Sequence, residues 1–181
     1  MRKSIAIDMD QVLADFVGKA VKAMNERLNL GMTREEFFKT SIQKLHPEHM
    51  NEFISMMNEP NFFRDLELLD PYSVEVIKEL NETYDIYIAT AAMHVPGSFL
   101  AKYDWLREHF PFLDTNYFIF CGDKKVVKAD YLIDDSVGQL KSFTGQGILF
   151  DQPNNASVTE YPRVKNWQEV LEYFQQLAVV K

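Results

Sequence analysis

Along the chain, short apolar runs alternate with longer stretches of helical spacing. The runs cover residues 4–7, 85–89, 117–120, 131–133 and 148–150, and each reads as a strand. The first, second and fourth stop at polar residues on their carboxyl side: Asp8, Thr90, and Asp134 with Asp135. Between the runs, Val74, Ile77 and Leu80 recur at helical spacing behind Asp70-Pro71, where the acid can cap a helix and the proline can occupy its first turn. Residues 99–110 and 166–178 also read as helices, with Trp105 and Trp167 as packing anchors. Strands alternating with helices predict an α/β fold, a mostly parallel sheet covered on both faces.

One interval breaks this rhythm. Residues 8–84 hold almost no strand signal, whereas a crossover between parallel strands needs only about a dozen residues. Phe16, Ala20, Val21, Met24 and Leu28 suit one helix, and "TREEFFK" and "HPEHMNEFISMMNE" suit two more. The excess predicts a small helical cap at residues 17–72, inserted into a core of residues 1–16 and 73–181. Its Met and Phe residues line a pocket on this reading, or pack a purely structural subdomain on the alternative.

Composition narrows the classes. With 181 residues, 46% of them hydrophobic and 25% charged, the chain can bury a sizeable core as one domain carrying an insertion. No apolar run approaches the roughly 20 residues that cross a bilayer, and the apolar stretch after the basic start is too short for a signal peptide. A single cysteine, Cys121, excludes an internal disulfide framework and suits a cytoplasmic protein. Asn155-Ala156-Ser157 spells a glycosylation sequon, read here as a chance match. The formal net charge of −8 and the absence of a dense Lys/Arg run argue against a nucleic-acid polymer as partner. A small anionic substrate would instead need local positive charge, and both monomer and homodimer are compatible with the composition.

The acids at the strand ends carry the chemistry. Ligands of an open parallel sheet bind outside the carboxyl ends of its strands, where Asp8, Asp10, Thr90, Asp134 and Asp135 would project. Four carboxylates together repel, and oxygen-only ligands favour Mg²⁺ over zinc as the ion that holds them. Each acid taken alone is better explained as a helix cap; "DMD" and "DD" both closing apolar strands are not. "CGDKKVVKADYLIDDS" adds Lys124 and Lys125 shortly before the second pair, a source of positive charge for a nucleophilic aspartate and a phosphate.

In chain order, "DMDQVLADF", "IATAA", "GDKK" and "LIDD" resemble the four motifs of the haloacid dehalogenase superfamily of aspartate-nucleophile phosphatases. "NFFRDLE", "AKYDWLREHF" and the segment around "ADYLIDD" bring the chain closer to the 5'(3')-deoxyribonucleotidase branch. The resemblance spans residue 5 to about 135 and thins after 140. It implies a Rossmann-like core with a cap, Mg²⁺ as cofactor, and a phosphate monoester, above all a deoxyribonucleoside monophosphate, as substrate. It also implies that Asp8 attacks phosphorus and that Asp10 serves as acid and then base. Thr90 would bind a phosphoryl oxygen, and Lys124 would hold both phosphate and Asp8. The metal would take Asp8, the Asp10 main-chain carbonyl and Asp135, with Asp134 beside them. Lys102 would lie near the phosphate and Phe16 would face the nucleoside.

Two positions depart from the pattern: Gln11 stands where glycine is frequent, and Ala91 follows Thr90 where a serine would add a donor to the phosphate pocket. The tryptophans familiar in animal members are absent, and Met57 with Phe37-Phe38 are the expected replacements. His46 and His49 read as an exposed pair, His94 as a loop residue near the site, and Cys121 as buried packing. A response-regulator module uses similar groups in another order and lacks the insertion. A phosphatase of sugar phosphates and an inactive metal-binding relative remain as alternatives.

Overall fold

The computed structural model describes residues 2–39 and 46–179. Six parallel strands form its sheet in the order β3-β2-β1-β4-β5-β6. They are β1 (Ser4–Ile7), β2 (Asp85–Thr90), β3 (Phe118–Phe120), β4 (Tyr131–Asp134), β5 (Gln146–Phe150) and β6 (Arg163–Val164). The central strands are buried along nearly their whole length, as expected of a sheet with both faces covered. Two apolar clusters flank the sheet, the larger built on Ile5, Ile7 and Ile133 and the smaller on Ala6, Leu132 and Leu149. Alternate residues of β1 and β4 thus point to opposite faces.

Between β1 and β2 the chain makes α1 (Phe16–Leu28), α2 (Arg34–Lys39), α3 (Pro47–Met57) and α4 (Tyr72–Leu80). The first three form the helical excursion, joined through Phe16, Phe37, Phe53, Phe62 and Phe63. Their apolar residues belong to the same cluster that covers the sheet. The two connections to the excursion are laced together: Asp15 N–H donates to Glu67 O at 2.9 Å and Leu69 N–H to Leu13 O at 2.8 Å.

The helix α4 instead packs on α7 (Trp167–Val179) under the sheet. Asp70 caps both, taking the Tyr72 N–H at 2.9 Å and the Trp167 N–H at 3.1 Å. After β2 comes α5 (Phe99–His109), and after β4 the short α6 (Val137–Ser142). Both tryptophans anchor as expected: Trp105 Nε1 donates to Leu66 O at 2.7 Å, and Trp167 Nε1 to Val12 O at 3.0 Å. No helix among the described residues is long and apolar enough to cross a membrane.

Two details differ from the sequence expectation, and a third, at the sequon, agrees with it. The two-residue β6 leaves no periodic signal. Tyr117 lies in a short 3-10 turn capped by Asp114 rather than in β3. Asn155 of the sequon is buried, 1% exposed, so its amide is inaccessible to a glycosyl donor in the folded chain.

Candidate active site

The register of the sheet sets the acids. Ile7 pairs with Ile88 on one side and Ile133 on the other, and the Asp8 N–H continues the ladder to Ile133 O at 2.9 Å. Asp8 and Asp134 therefore emerge side by side at the carboxyl ends of the two central strands. Asp135 joins them, and one oxygen from each of Asp8, Asp134 and Asp135 can lie within 4.8 Å of the others.

Asp10 goes elsewhere. After Met9 the chain turns sharply: Leu13 and Ala14 N–H both donate to Met9 O at 2.9 Å. Gln11 sits at φ 62°, the left-handed region that glycine adopts without cost, which is why glycine is frequent in this position. Here the amide side chain compensates. Gln11 Oε1 accepts the Val17 N–H at 2.7 Å, and Gln11 O accepts Gln152 Nε2 at 2.9 Å. The turn aims the Asp10 carboxylate away from Asp8 and onto Lys102.

Two buried lysines separate the acids. Lys124, 1% exposed, pairs with both Asp8 and Asp134. Burial opposes its charge, but the two carboxylates outweigh that effect and hold the ammonium above its ordinary pKa. Its own N–H donates to Gln139 Oε1 at 2.8 Å, which fixes the loop after β3. Lys102, on α5 one turn before the anchored Trp105, pairs with Asp10, donates to Thr90 Oγ1 at 3.0 Å, and lies 4.7 Å from the centre of the Phe63 ring. Lys125 is exposed and pairs with Asp123.

Burial pushes the Asp8 carboxyl up to about 7, against the pull of Lys124. Asp135 is also raised well above the carboxylate range, by burial first and by Asp8 and Asp134 second. Four acids face two lysines, so full ionisation would leave two negative charges uncompensated. An all-oxygen donor set with that deficit fits one divalent hard cation.

A cavity of about 470 Å³ opens over these groups. Asp8, Asp10 and Lys124 form part of its polar wall, and Phe16, Phe37 and Phe38 form the apolar side. Phe16 stacks on Phe63 with centroids 5.9 Å apart and planes 11° apart.

These motifs agree with a family model described as "5' nucleotidase, deoxy (Pyrimidine), cytosolic type C protein", which matches residues 2–180. A 5'(3')-deoxyribonucleotidase of Bacillus subtilis is 38% identical over 170 residues, covering 94% of this chain and 97% of its own. The chain belongs to the 5'(3')-deoxyribonucleotidase family. A Staphylococcus epidermidis protein, provisionally named as such an enzyme, is 49% identical over 173 residues, covering 96% of both chains. Among solved structures, a haloacid dehalogenase-like hydrolase of Streptococcus pneumoniae superposes with a TM-score of 0.67 at 16% identity, covering 96% of this chain and 99% of its own. A Bacillus subtilis protein provisionally named as a HAD-hydrolase, bound to magnesium, gives 0.61 at 14% identity, covering 96% and 99%. The chain is thus a phosphoric monoester hydrolase on the haloacid dehalogenase fold.

The residues singled out in the sequence are distributed unevenly. Asp8, Asp134, Asp135 and Lys124 form one group; Asp10, Thr90 and Lys102 form a second beside it. Asp10 is absent from the three-acid cluster through its side chain, and the Thr90 hydroxyl is occupied by Lys102. Ala91 and Phe16 line the cavity, as do Phe37, Phe38 and His94. Met57 does not line it and packs on the main apolar cluster instead. His46 and His49 lie 5.7 Å apart by ring centroid and belong to no acid or metal-type cluster among the described residues. Cys121 is buried in the smaller apolar cluster. Gln11 appeared in the sequence only as a departure, and Gln139 and Gln152 not at all. Gln11 and Gln152 are buried in loops and Gln139 is half-buried on α6, and none of them leaves a spacing signature.

Proposed function

We propose that the enzyme hydrolyses deoxyribonucleoside monophosphates, through a covalent phosphate ester of Asp8 and with Mg²⁺ as cofactor. One observation carries the reading: Asp8 and Asp10, two residues apart, are delivered to different lysines beside one cavity. Two adjacent carboxylates in unlike environments can take unlike roles. Lys124 favours the ionised form of Asp8, the form that attacks phosphorus. Asp10 Oδ1 is buried without a hydrogen-bond partner among the described residues, so it is free to meet the departing alcohol.

In the first displacement, an Asp8 oxygen bonds to phosphorus, the bond to the sugar oxygen breaks, and Asp10 protonates that oxygen. In the second, Asp10 takes a proton from water, the water oxygen bonds to phosphorus, and the Asp8 carboxylate and inorganic phosphate are released. Asp8 and Asp135 would hold Mg²⁺, with the Asp10 main-chain carbonyl as a further ligand. Asp134, whose oxygens are engaged by Lys124 and the Ser136 N–H at 2.8 Å, would orient them. The bound ion supplies positive charge against the phosphoryl oxygens. Lys102 and Thr90 pair with each other beside Asp10 and outside the cavity wall, and Ala91 leaves the phosphate pocket one hydroxyl short of the common pattern.

The aromatic side of the cavity favours a base over a bare sugar, since Phe16 and Phe38 offer flat apolar surface to a heterocycle. The family named in the comparisons and the acidic, single-cysteine composition agree with a cytoplasmic enzyme of small molecules. The test is phosphate release from dTMP, dUMP, dGMP, UMP, a 3'-deoxynucleotide, sugar phosphates and p-nitrophenyl phosphate, with and without Mg²⁺, for wild type and Asp8→Asn. The expected result is Mg²⁺-dependent release, fastest from deoxynucleotides and absent in the variant. Preference for a sugar phosphate would retain the chemistry and overturn the nucleotide assignment.

A further inference from the structure

The turn after β5 reaches both acid-bearing loops without entering the cavity at its key residue. Asn155 has every hydrogen-bonding position of its side chain filled. Its Nδ2 donates to Asp135 O and to Phe150 O, both at 2.9 Å. Its Oδ1 accepts the Gln152 N–H at 3.2 Å and an Arg163 N–H at 2.8 Å. Arg163, from the edge strand β6, also donates to Asn155 O at 2.9 Å and Val158 O at 2.7 Å, and pairs with Asp151. From the same turn, Gln152 Nε2 holds Gln11 O, next to Asp10.

We infer that Asn155, clamped by Arg163, is a positioning residue: it fixes the main chain of Asp135 and thereby sets the geometry of the proposed cation site. This rests on the Mg²⁺ reading above. The Asp135 carboxylate receives no hydrogen bond from the described residues. Asp134 is held by its own side chain, through Lys124 and the Ser136 N–H. Asp135 is held only through its backbone, and its carbonyl is pinned by Asn155. The three acids repel one another, so an unrestrained Asp135 would swing outward before a cation arrived. Only a primary amide presents two N–H groups toward two carbonyls while its oxygen accepts two more donors. An aspartate of the same shape would set oxygen against the carbonyls of Asp135 and Phe150.

Groups that orient metal ligands without touching the metal alter affinity by roughly 10- to 100-fold when removed. The experiment is calorimetric Mg²⁺ titration of the full chain, for wild type, Asn155→Asp and Arg163→Lys, with Mg²⁺-activation curves for hydrolysis alongside. We expect Mg²⁺ binding weakened about 10- to 100-fold in Asn155→Asp and less in Arg163→Lys. In both variants, turnover should return to within a few-fold of wild type once Mg²⁺ saturates. Phe174→Leu, in α7 away from the cavity, serves as the control: it should lower thermal stability and leave Mg²⁺ affinity unchanged. Should Asn155→Asp fail to fold, Arg163→Lys decides, since it keeps the charge and loses the fork. Folded variants with Mg²⁺ affinity within twofold of wild type would overturn the inference while sparing the metal reading. A wild-type chain that binds no Mg²⁺ would overturn both.

Discussion

Asp8→Asn should make the metal-free protein more stable while abolishing hydrolysis. Burial holds the Asp8 carboxyl at about 7, from an ordinary value near 3.8, in spite of Lys124. The folded protein therefore keeps a proton that the unfolded chain has already released, so stability falls as pH rises from about 4 to about 7. At about 1.4 kcal/mol for each tenfold change in proton affinity, the ionised group costs on the order of 4 kcal/mol by pH 8. Asparagine mimics the protonated form and avoids that cost. In a domain of this size each kcal/mol corresponds to about 2–4 °C, so the variant should melt on the order of 10 °C higher in EDTA at pH 8. The advantage should shrink toward pH 5, where wild type binds the proton itself. Adding Mg²⁺ should raise wild type more than the variant, because the variant has lost an anionic ligand. Thermal melts of both proteins across pH 5–9, with EDTA and then with Mg²⁺, check each point. A variant that melts no higher than wild type at pH 8 without metal, or a difference independent of pH, would refute the reasoning.

Other outcomes follow from the same geometry. Mg²⁺ binding near pH 6.5 should expel a proton from Asp8, seen as a binding enthalpy that changes with the ionisation heat of the buffer. Lys102→Met should leave Asp10 without its partner and lower kcat by about 10²–10³, as removal of a single charge-stabilising donor does elsewhere, with a smaller effect on KM. Phe38→Ala should raise KM for dTMP about 5- to 30-fold, the equivalent of losing about 1–2 kcal/mol of ring contact, yet leave p-nitrophenyl phosphate nearly unaffected. Trp167→Phe, which deletes the bond to Val12 O inside the core, should lower unfolding free energy by about 1–3 kcal/mol in denaturant melts without changing Mg²⁺ dependence.

Sequence made the sheet legible because the strands are short, apolar and terminated by acids or threonine. It missed β6, since two residues carry no periodicity. The pairing of Lys124 with Asp8 and Asp134 depends on sheet order; the residues alone offered Lys124 or Lys125 as the charge beside a nucleophilic aspartate, and the resemblance singled out Lys124. The separation of Asp8 from Asp10 was invisible for a different reason. Residues two apart on a strand share a face, and only the left-handed Gln11 turn undoes that rule. The brace of Gln152, Asn155 and Arg163 lies where the family resemblance thins, and its residues are individually ordinary polar types. Met57 went astray because apolar residues on an amphipathic helix look alike until packing decides which meet solvent, core or cavity.

The sheet order has a consequence for how the protein is made. The strand β1 leaves the ribosome first, yet it is central, and both of its neighbours arrive much later, as residues 85–90 and 131–134. The turn that carries Asp10 is secured later still, by Gln152 and Trp167. A chain arrested just after Asp135 thus holds every acid of the site but not the Gln152 and Trp167 contacts that secure the Asp10 turn. During synthesis a central, buried strand waits unpaired, which makes β1 a segment in need of chaperone shielding and makes activity depend on residues made well after the acids.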